Sequence, residues 1–336
     1  MPSVALDSKN LKSFVASMLK QAERVRGPVK DKTGTVLADL SAKSELAFDF
    51  ANFKLPVKRE FFPQCEVISR FDAAGSRAES PADEGVVIFG VRPCDTLSLS
   101  FLDKVFVDEQ YSDPYYQKRR DNTLVVSMAC NSPAATCFCT SIGGSPNSTK
   151  GSDIIMFNLG NSFVLESVSK KGEAFLKKNE KMFRDPTSKE LQKRKQQEEA
   201  AEKQVGKVNA SATPASLLTK NDSVLWDEIA ETCLSCGACT FLCPTCHCFD
   251  FFDEKQGGGG TRVRVHDACM FATFTREASG HNPRGLKRDR MRQRIMHKFS
   301  YAPENFNEMF CVGCGRCIVN CPSNIDIRET ITKVNA

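Results

Sequence analysis

Cys233-Leu-Ser-Cys-Gly-Ala-Cys-Thr-Phe-Leu-Cys-Pro244 recurs, with the same cysteine spacing, as Cys311-Val-Gly-Cys-Gly-Arg-Cys-Ile-Val-Asn-Cys-Pro322. In the spacing Cys-x2-Cys-x2-Cys-x3-Cys-Pro, three thiolates on one tight loop reach three irons of a [4Fe-4S] cubane, while the fourth thiolate points to a neighbouring cluster. The two stretches therefore predict two [4Fe-4S] clusters. The ligands expected for the first are Cys233, Cys236, Cys239 and Cys321, and those for the second are Cys311, Cys314, Cys317 and Cys243.

Other uses of these cysteines follow from the same spacing. Paired Cys-x2-Cys units also suit tetrahedral zinc. Disulfides are disfavoured because the chain starts Met-Pro-Ser-Val-Ala-Leu-Asp-Ser, without the apolar region of a secretory signal, so reduced thiols and a cytoplasmic location are expected. Clusters that only hold the fold are a third alternative, but two clusters in one chain favour an electron relay.

Length and composition narrow the function further. The 336 residues, 41% of them apolar, are enough for two domains, and the formal net charge of +5 gives no reason to expect a nucleic-acid partner. No apolar run approaches the roughly 20 residues that cross a bilayer, so direct membrane insertion is not expected. The sequence has neither a G-x-G-x-x-G nor a G-x4-G-K-[ST] fingerprint, which indicates that nucleotide or flavin binding belongs to a partner.

The first half reads as an α/β domain over residues 1–185. Apolar spacing predicts an amphipathic helix over Ser8–Arg24, and short apolar runs predict strands at Gly85–Gly90 and Thr123–Met128. A hairpin is expected over Ile154–Val168, with Gly160 and Asn161 at its turn.

A polar, charge-rich tract over residues 186–222 is interpreted as a partly helical linker. Residues 223–336 then form the two-cluster domain, which is expected to be mainly helical and ferredoxin-like. Its predicted elements are strand pieces around Gly257–Gly260 and helices over Asp267–Ser279 and Gly285–Phe299. The predicted fold class of the whole chain is α+β.

Four cysteines of the first half are enough for a third [4Fe-4S] cluster, and they are Cys94, Cys130, Cys137 and Cys139. Cys94 and Cys130 directly follow the two predicted inner strands, whose carboxyl ends are a common place for ligand sites. The alternative is that these thiols pack as small apolar groups. Cys65 is assigned to core packing.

Three further cysteines flank the first motif, namely Cys246, Cys248 and Cys269. With His247 between two of them, they could ligate an additional centre, zinc included, or support the first cluster from beside it. His266, His281 and His297 have no partner at metal-ligand spacing and are interpreted as surface or structural residues.

The helix predicted near the C-terminus is strongly basic. Leu286, Met291, Ile295 and Phe299 share one side, and the other positions carry Lys287, Arg288, Arg290, Arg292, Arg294 and Lys298. A solvated charged face is the plain interpretation. The alternative is that the cations raise the potential of a nearby cluster or attract an acidic partner.

These residues together identify a resemblance. The motif loops, Cys-Pro-Thr-Cys-His-Cys-Phe-Asp, Asp267-Ala-Cys-Met-Phe271, Gly280-His-Asn-Pro-Arg284, and Arg294–Phe299 resemble the iron–sulfur beta subunits of sulfhydrogenase-type NiFe hydrogenases and the A subunit of anaerobic sulfite reductase. In the first half, Gly90-Val-Arg-Pro-Cys-Asp95 and Cys130-x6-Cys137-Phe-Cys139-x3-Gly143 fit the same families.

The resemblance implies a function. Such subunits pass electrons between a flavin subunit that uses NAD(P)H and a separate catalytic subunit, of hydrogenase or of sulfite reductase type. A further hypothesis makes the chain itself catalytic, with an open cluster or metal position in its first half. The segment between the motifs also resembles the helical ferredoxin domains of heterodisulfide reductase. The adjacent cysteines of that enzyme's catalytic subunits are missing here.

Overall fold

The computed structural model describes residues 3–108 and 110–336. These residues form two compact units: the first contains the chain up to Val57, Asp83–Gly206 and Val312–Cys314, and the second contains Lys58–Ala82, Lys207–Cys311 and Gly315–Ala336. The strands are β1 (Ser3–Asp7), β2 (Arg24–Asp31), β3 (Gly34–Asp39), β4 (Cys65–Asp72), β5 (Gly75–Ala78), β6 (Val86–Val91), β7 (Thr123–Met128), β8 (Ile154–Asn158), β9 (Ser162–Ser167), β10 (Phe249–Gln256) and β11 (Gly259–His266). The α-helices are α1 (Leu11–Gln21), α2 (Pro93–Phe106), α3 (Pro114–Asn122), α4 (Lys170–Lys178), α5 (Ser188–Gln204), α6 (Thr213–Thr219), α7 (Leu225–Ala230), α8 (Ala238–Phe241), α9 (Lys287–Met296), α10 (Ala302–Phe306), α11 (Arg316–Val319) and α12 (Ile327–Asn335).

The first unit is built on a mixed sheet in the order β1-β9-β8-β7-β6-β2-β3. Strands β2, β6, β7 and β8 run parallel to one another, and antiparallel pairs lie at both edges. Strands β6 and β7 are apolar along almost their whole length because parallel strands are covered on both faces. The predicted inner strands and the predicted hairpin, β8 and β9, are confirmed.

Helix α1 covers one face of this sheet. The chain enters it through a 3-10 turn at Ser8–Asn10, and the predicted amphipathic helix is confirmed from Leu11 onwards. Phe14, Val15 and Met18 are buried in the main core of the sheet. This core holds the parallel strands rigidly, and so fixes the loops that follow their carboxyl ends.

The second unit contains a sheet as well as helices. Its antiparallel strands lie in the order β10-β11-β4-β5, and β10 and β11 are joined by the two-residue turn Gly257–Gly258, with Gly257 at a φ of 60°. The α+β class is therefore confirmed, whereas the mainly helical description of the cluster domain is not. Within the described residues, no helix is long and apolar enough to cross a membrane.

Two segments differ from, or add to, the sequence interpretation. The helix predicted over Asp267–Ser279 is wrong, because these residues form turns. Tertiary hydrogen bonds take carbonyls that a helix would use: Arg290 Nε donates to Met270 O, and Asn282 Nδ2 donates to Ala272 O. The tract interpreted as a linker contains α5 and α6, and α5 belongs to the first unit.

Candidate metal centres

The first cysteine loop begins where α7 ends. Cys233 N–H donates to Ala230 O at 3.0 Å, and Ser235 N–H then points back at Cys233 Sγ over 3.4 Å. Gly237 starts α8 with a φ of 74°, and a Cβ at this position would come 2.8 Å from the ring of Phe271. Only glycine allows this tight reversal without strain. The loop thus brings backbone N–H groups to sulfur, as cluster-binding loops do.

This loop lines one wall of a cavity with about 490 Å³ of empty space. Four predicted ligands of the first cluster line it together: Cys233, Cys236, Cys239 and Cys321. Cys317 lies at the same cavity, and Met270, Met291 and Ile327 supply apolar walls. Ile325 N–H donates to Cys321 Sγ at 3.3 Å, so the distant fourth cysteine has the same N–H···S environment as Cys233.

The second cysteine loop repeats the local geometry. Gly315 starts α11 with a φ of 71°, as Gly237 starts α8. Cys311 is buried in the second unit. Cys314 belongs with Gly313 to the first unit, where Asn52 Nδ2 donates to Cys314 O at 2.8 Å.

Cys243, the predicted fourth ligand of the second cluster, lies in a buried polar pocket. Lys298 Nζ is 3.2 Å from Cys243 Sγ and also donates to Thr245 Oγ1 at 3.0 Å and Phe310 O at 3.1 Å. The ammonium therefore has all three of its donors in use. Burial lowers the pKa of Lys298, but electrostatic interactions with Cys243, Cys246 and Cys311 outweigh burial and raise this pKa above its ordinary value.

Arg294 is the second buried cation of this region. Burial lowers its pKa, and Cys239, Cys317 and other thiolates more than compensate, so that the pKa is raised. Within the described residues, its Nε has no hydrogen-bond partner. A buried cation costs several kcal/mol unless an anion accompanies it. Because thiolates are the anions next to Arg294 and Lys298, these residues fit anionic thiolate clusters.

The four cysteines of the first half also meet at one cavity, with about 330 Å³ of empty space. Cys94 lies in the first turn of α2, directly after β6, and Cys130 follows β7. Cys137 and Cys139 lie on the next loop, whose backbone packs so closely on Gly313 that a Cβ there would be 2.5 Å from Cys139 N. Phe138 N–H donates to Gly313 O at 2.8 Å. The parallel sheet thus gathers cysteines that are 45 positions apart.

Burial controls the ionisation of these thiols. It raises the pKa of Cys130, and it raises the pKa of Cys139 to about 12. The guanidinium of Arg92 lines the same cavity; it donates to Ala129 O at 3.0 Å and lies 4.1 Å from the ring centre of Phe50. Thiols this basic stay protonated at neutral pH unless a metal replaces the proton.

A further cavity lies in the second unit and is lined by Cys246, Cys248 and Cys269, the cysteines that the sequence left without a fixed role. His247 and His297 line it too, and burial lowers the pKa of each to about 4, so both imidazoles are neutral.

Two interpretations of individual residues are corrected, and two histidines are located. Cys65 is exposed at the start of β4 rather than packed in the core, because that strand is largely solvent-accessible. Of the histidines interpreted as surface or structural residues, His266 is buried and His297 is half-buried. On α9 and the π-helical turn that follows, the face predicted to be solvated holds three buried cations, Arg290, Arg294 and Lys298, and Leu286 on the predicted apolar side is exposed. In the sequence, only the proximity of Arg290, Arg294 and Lys298 to the cysteine motifs could have indicated that these cations are buried.

Comparison with known proteins concerns both the cysteine-rich region and the chain as a whole. Residues 232–325 match a family model described as a 4Fe-4S dicluster domain. Over 337 aligned residues, the chain is 33% identical to sulfhydrogenase 2 subunit beta of Pyrococcus furiosus, and the alignment covers 99% of this chain and 98% of the relative. The matched domain includes both cysteine loops and also Cys246, Cys248 and Cys269.

Proposed function

The chain belongs to the family of sulfhydrogenase beta subunits, iron–sulfur electron-transfer subunits, and on this premise we propose that it relays electrons between a flavin subunit that uses NAD(P)H and a catalytic subunit of hydrogenase type. The observation that carries the proposal is the convergence of Cys233, Cys236, Cys239 and Cys321 on one cavity. The name of the relative favours a hydrogenase over a sulfite reductase as the catalytic partner.

Each proposed cluster has its own ligand set. Cys233, Cys236, Cys239 and Cys321 hold the first [4Fe-4S] cluster, and Cys311, Cys314, Cys317 and Cys243 hold the second. Cys94, Cys130, Cys137 and Cys139 hold a third, which the cavity of the first unit supports. A [4Fe-4S] cluster supplies reversible one-electron transfer with no group transfer.

The protein residues control the conditions for this transfer. Ser235 N–H and Ile325 N–H donate to ligand sulfurs, and such hydrogen bonds stabilise the more negative, reduced state. Lys298 and Arg294 add positive charge from within the buried region, which acts in the same direction. Apolar walls such as Met270 and Met291 act in the opposite direction, because apolar surroundings disfavour the extra negative charge of the reduced cluster. The N–H donors and the two cations raise the potentials above those of the same clusters without these groups.

The experiment is anaerobic purification of the tagged chain from its host, followed by iron and acid-labile sulfide analysis and EPR of the reduced protein. A flavoprotein and a catalytic subunit should copurify, with NAD(P)H-linked hydrogen turnover. Cys236→Ser should lose about four irons and this linked activity, while hydrogen turnover with an artificial dye persists. Cys65→Ser is the matched control and should change neither. Linked turnover that survives in Cys236→Ser with four irons missing would refute the relay.

A further inference from the structure

The cavity of Cys246, Cys248 and Cys269 is assembled by the hairpin. Cys246 and Cys248 lie just before β10, and Cys269 lies just after β11. The register pairs Phe249 with His266 at the open end of the hairpin, and Asp267 N–H donates to Cys248 O at 2.9 Å. Strand pairing therefore brings positions 248 and 269 together.

The surroundings of this cavity are positively charged. Arg294 lines both this cavity and the cavity of the first cluster, and Lys298 lines this one. In the described part of the chain, neither cation pairs with a carboxylate, and Nε of Arg294 has no hydrogen-bond partner. Buried cations beside three thiols require compensating anions. The proposed first and second clusters would supply part of the compensating negative charge. Thiolates of Cys246, Cys248 and Cys269 would supply more.

His247 is oriented as a metal-binding histidine. Its Nδ1 lies 3.0 Å from Thr245 O, a contact that requires a proton on Nδ1 because a carbonyl only accepts. The lone pair of the neutral ring is then on Nε2. A ligating histidine typically donates its other ring N–H to a carbonyl in this way, which fixes its tautomer and orientation.

The geometry distinguishes a cluster from a single ion. Over residues 3–108 and 110–336, no three His, Cys, Asp or Glu side chains converge as they would around one metal ion. Cys246, Cys248 and Cys269 instead line one shared cavity, as the four cysteines of the first unit line theirs. In a cubane each thiolate binds a separate iron, so its ligands line a shared cavity and do not converge on one point.

We propose that Cys246, Cys248 and Cys269, with Nε2 of His247, bind a further [4Fe-4S] cluster in the second unit. The inference goes beyond the proposed function, which requires only the two motif clusters and the cluster of the first unit. Cys246 lies three positions after Cys243, so the added centre adjoins in sequence a predicted ligand of the second cluster.

The test uses iron and acid-labile sulfide per full-length chain, purified anaerobically. Wild type should contain about sixteen irons, and Cys246→Ser/Cys248→Ser/Cys269→Ser should lose about four, while the control Cys65→Ser loses none. His247→Gln should convert one cluster to a [3Fe-4S] form with its own EPR signal in the oxidised protein. Full iron in the triple variant, or one zinc per chain released by it, would overturn the proposal.

A second measurement tests the proposal even if the triple cysteine variant does not fold well enough to be purified. Cys137→Ser/Cys139→Ser removes only the cluster proposed for the first unit, so about twelve irons remaining in it support the added centre. About eight remaining would overturn the added centre and leave the two motif clusters intact. Failure of the proposed relay is seen separately, as linked turnover that does not depend on Cys236.

Discussion

Replacement of Lys298 should lower the reduction potential of one cluster. In Lys298→Met the side chain keeps its length and apolar stem but loses the ammonium that lies 3.2 Å from Cys243 Sγ. A hydrogen bond to a charged group contributes about 1.5–3 kcal/mol. If that contribution is specific to the reduced state, it corresponds to a decrease of about 60–130 mV, at 59 mV per tenfold change for a one-electron couple.

The fold should tolerate this change. Thr245 Oγ1 still donates to Phe310 O at 2.7 Å, so removal of the ammonium leaves neither group without a partner. The assay is an anaerobic redox titration followed by EPR, with iron content measured on the same sample. Lys255→Met, on the exposed strand β10, is the control and should leave every midpoint unchanged. An unchanged midpoint in Lys298→Met with full iron content would refute the assignment of Cys243 as a cluster ligand tuned by Lys298.

Two further predictions concern the first cysteine loop and the response to acid. Gly237→Ala should destabilise the loop by about 1–2 kcal/mol through its positive φ alone, and the contact of the new Cβ with the Phe271 ring adds to this cost. The variant should therefore release about four irons on mild chelation. Gly258→Ala is the control, because a Cβ there meets nothing within 4 Å, and equal iron retention in both variants would contradict the prediction. His266 has its pKa lowered to about 3, by burial first and then by the charge of Lys58, so it stays neutral while the unfolded chain takes up a proton below pH about 6.5. Stability is therefore lost as the pH falls from about 6.5 towards 3, by about 1.4 kcal/mol at pH 5.5 relative to pH 8. Anaerobic urea unfolding followed by circular dichroism should show that His266→Gln has a pH dependence smaller by this amount, and an unchanged dependence would show that His266 is already charged.

The inner strands β6 and β7 show why part of the fold could be predicted from sequence. A continuous apolar run is typical of a parallel strand covered on both faces, and burial in the sheet follows directly from that composition. The turn at Gly257–Gly258 can also be predicted, because a two-residue hairpin turn needs positive φ, which glycine adopts easily. Local patterns fail at Asp267–Ser279, because carbonyls there are hydrogen-bonded by Arg290 and Asn282 from other parts of the chain.

Sequence spacing alone determined the two cluster motifs, since three thiolates three positions apart on a glycine-containing loop have few other uses, and the family resemblance follows from the same residues. Tertiary structure decided which distant groups join them. It placed Cys321 beside Cys233, gathered Cys94 with Cys130, Cys137 and Cys139, and buried Arg294 and Lys298 among thiolates. The spacing of residues along the chain fixes the relative positions only of groups on the same loop. The neighbours of a buried charge come from distant parts of the chain, so they depend on how the sheets and helices pack.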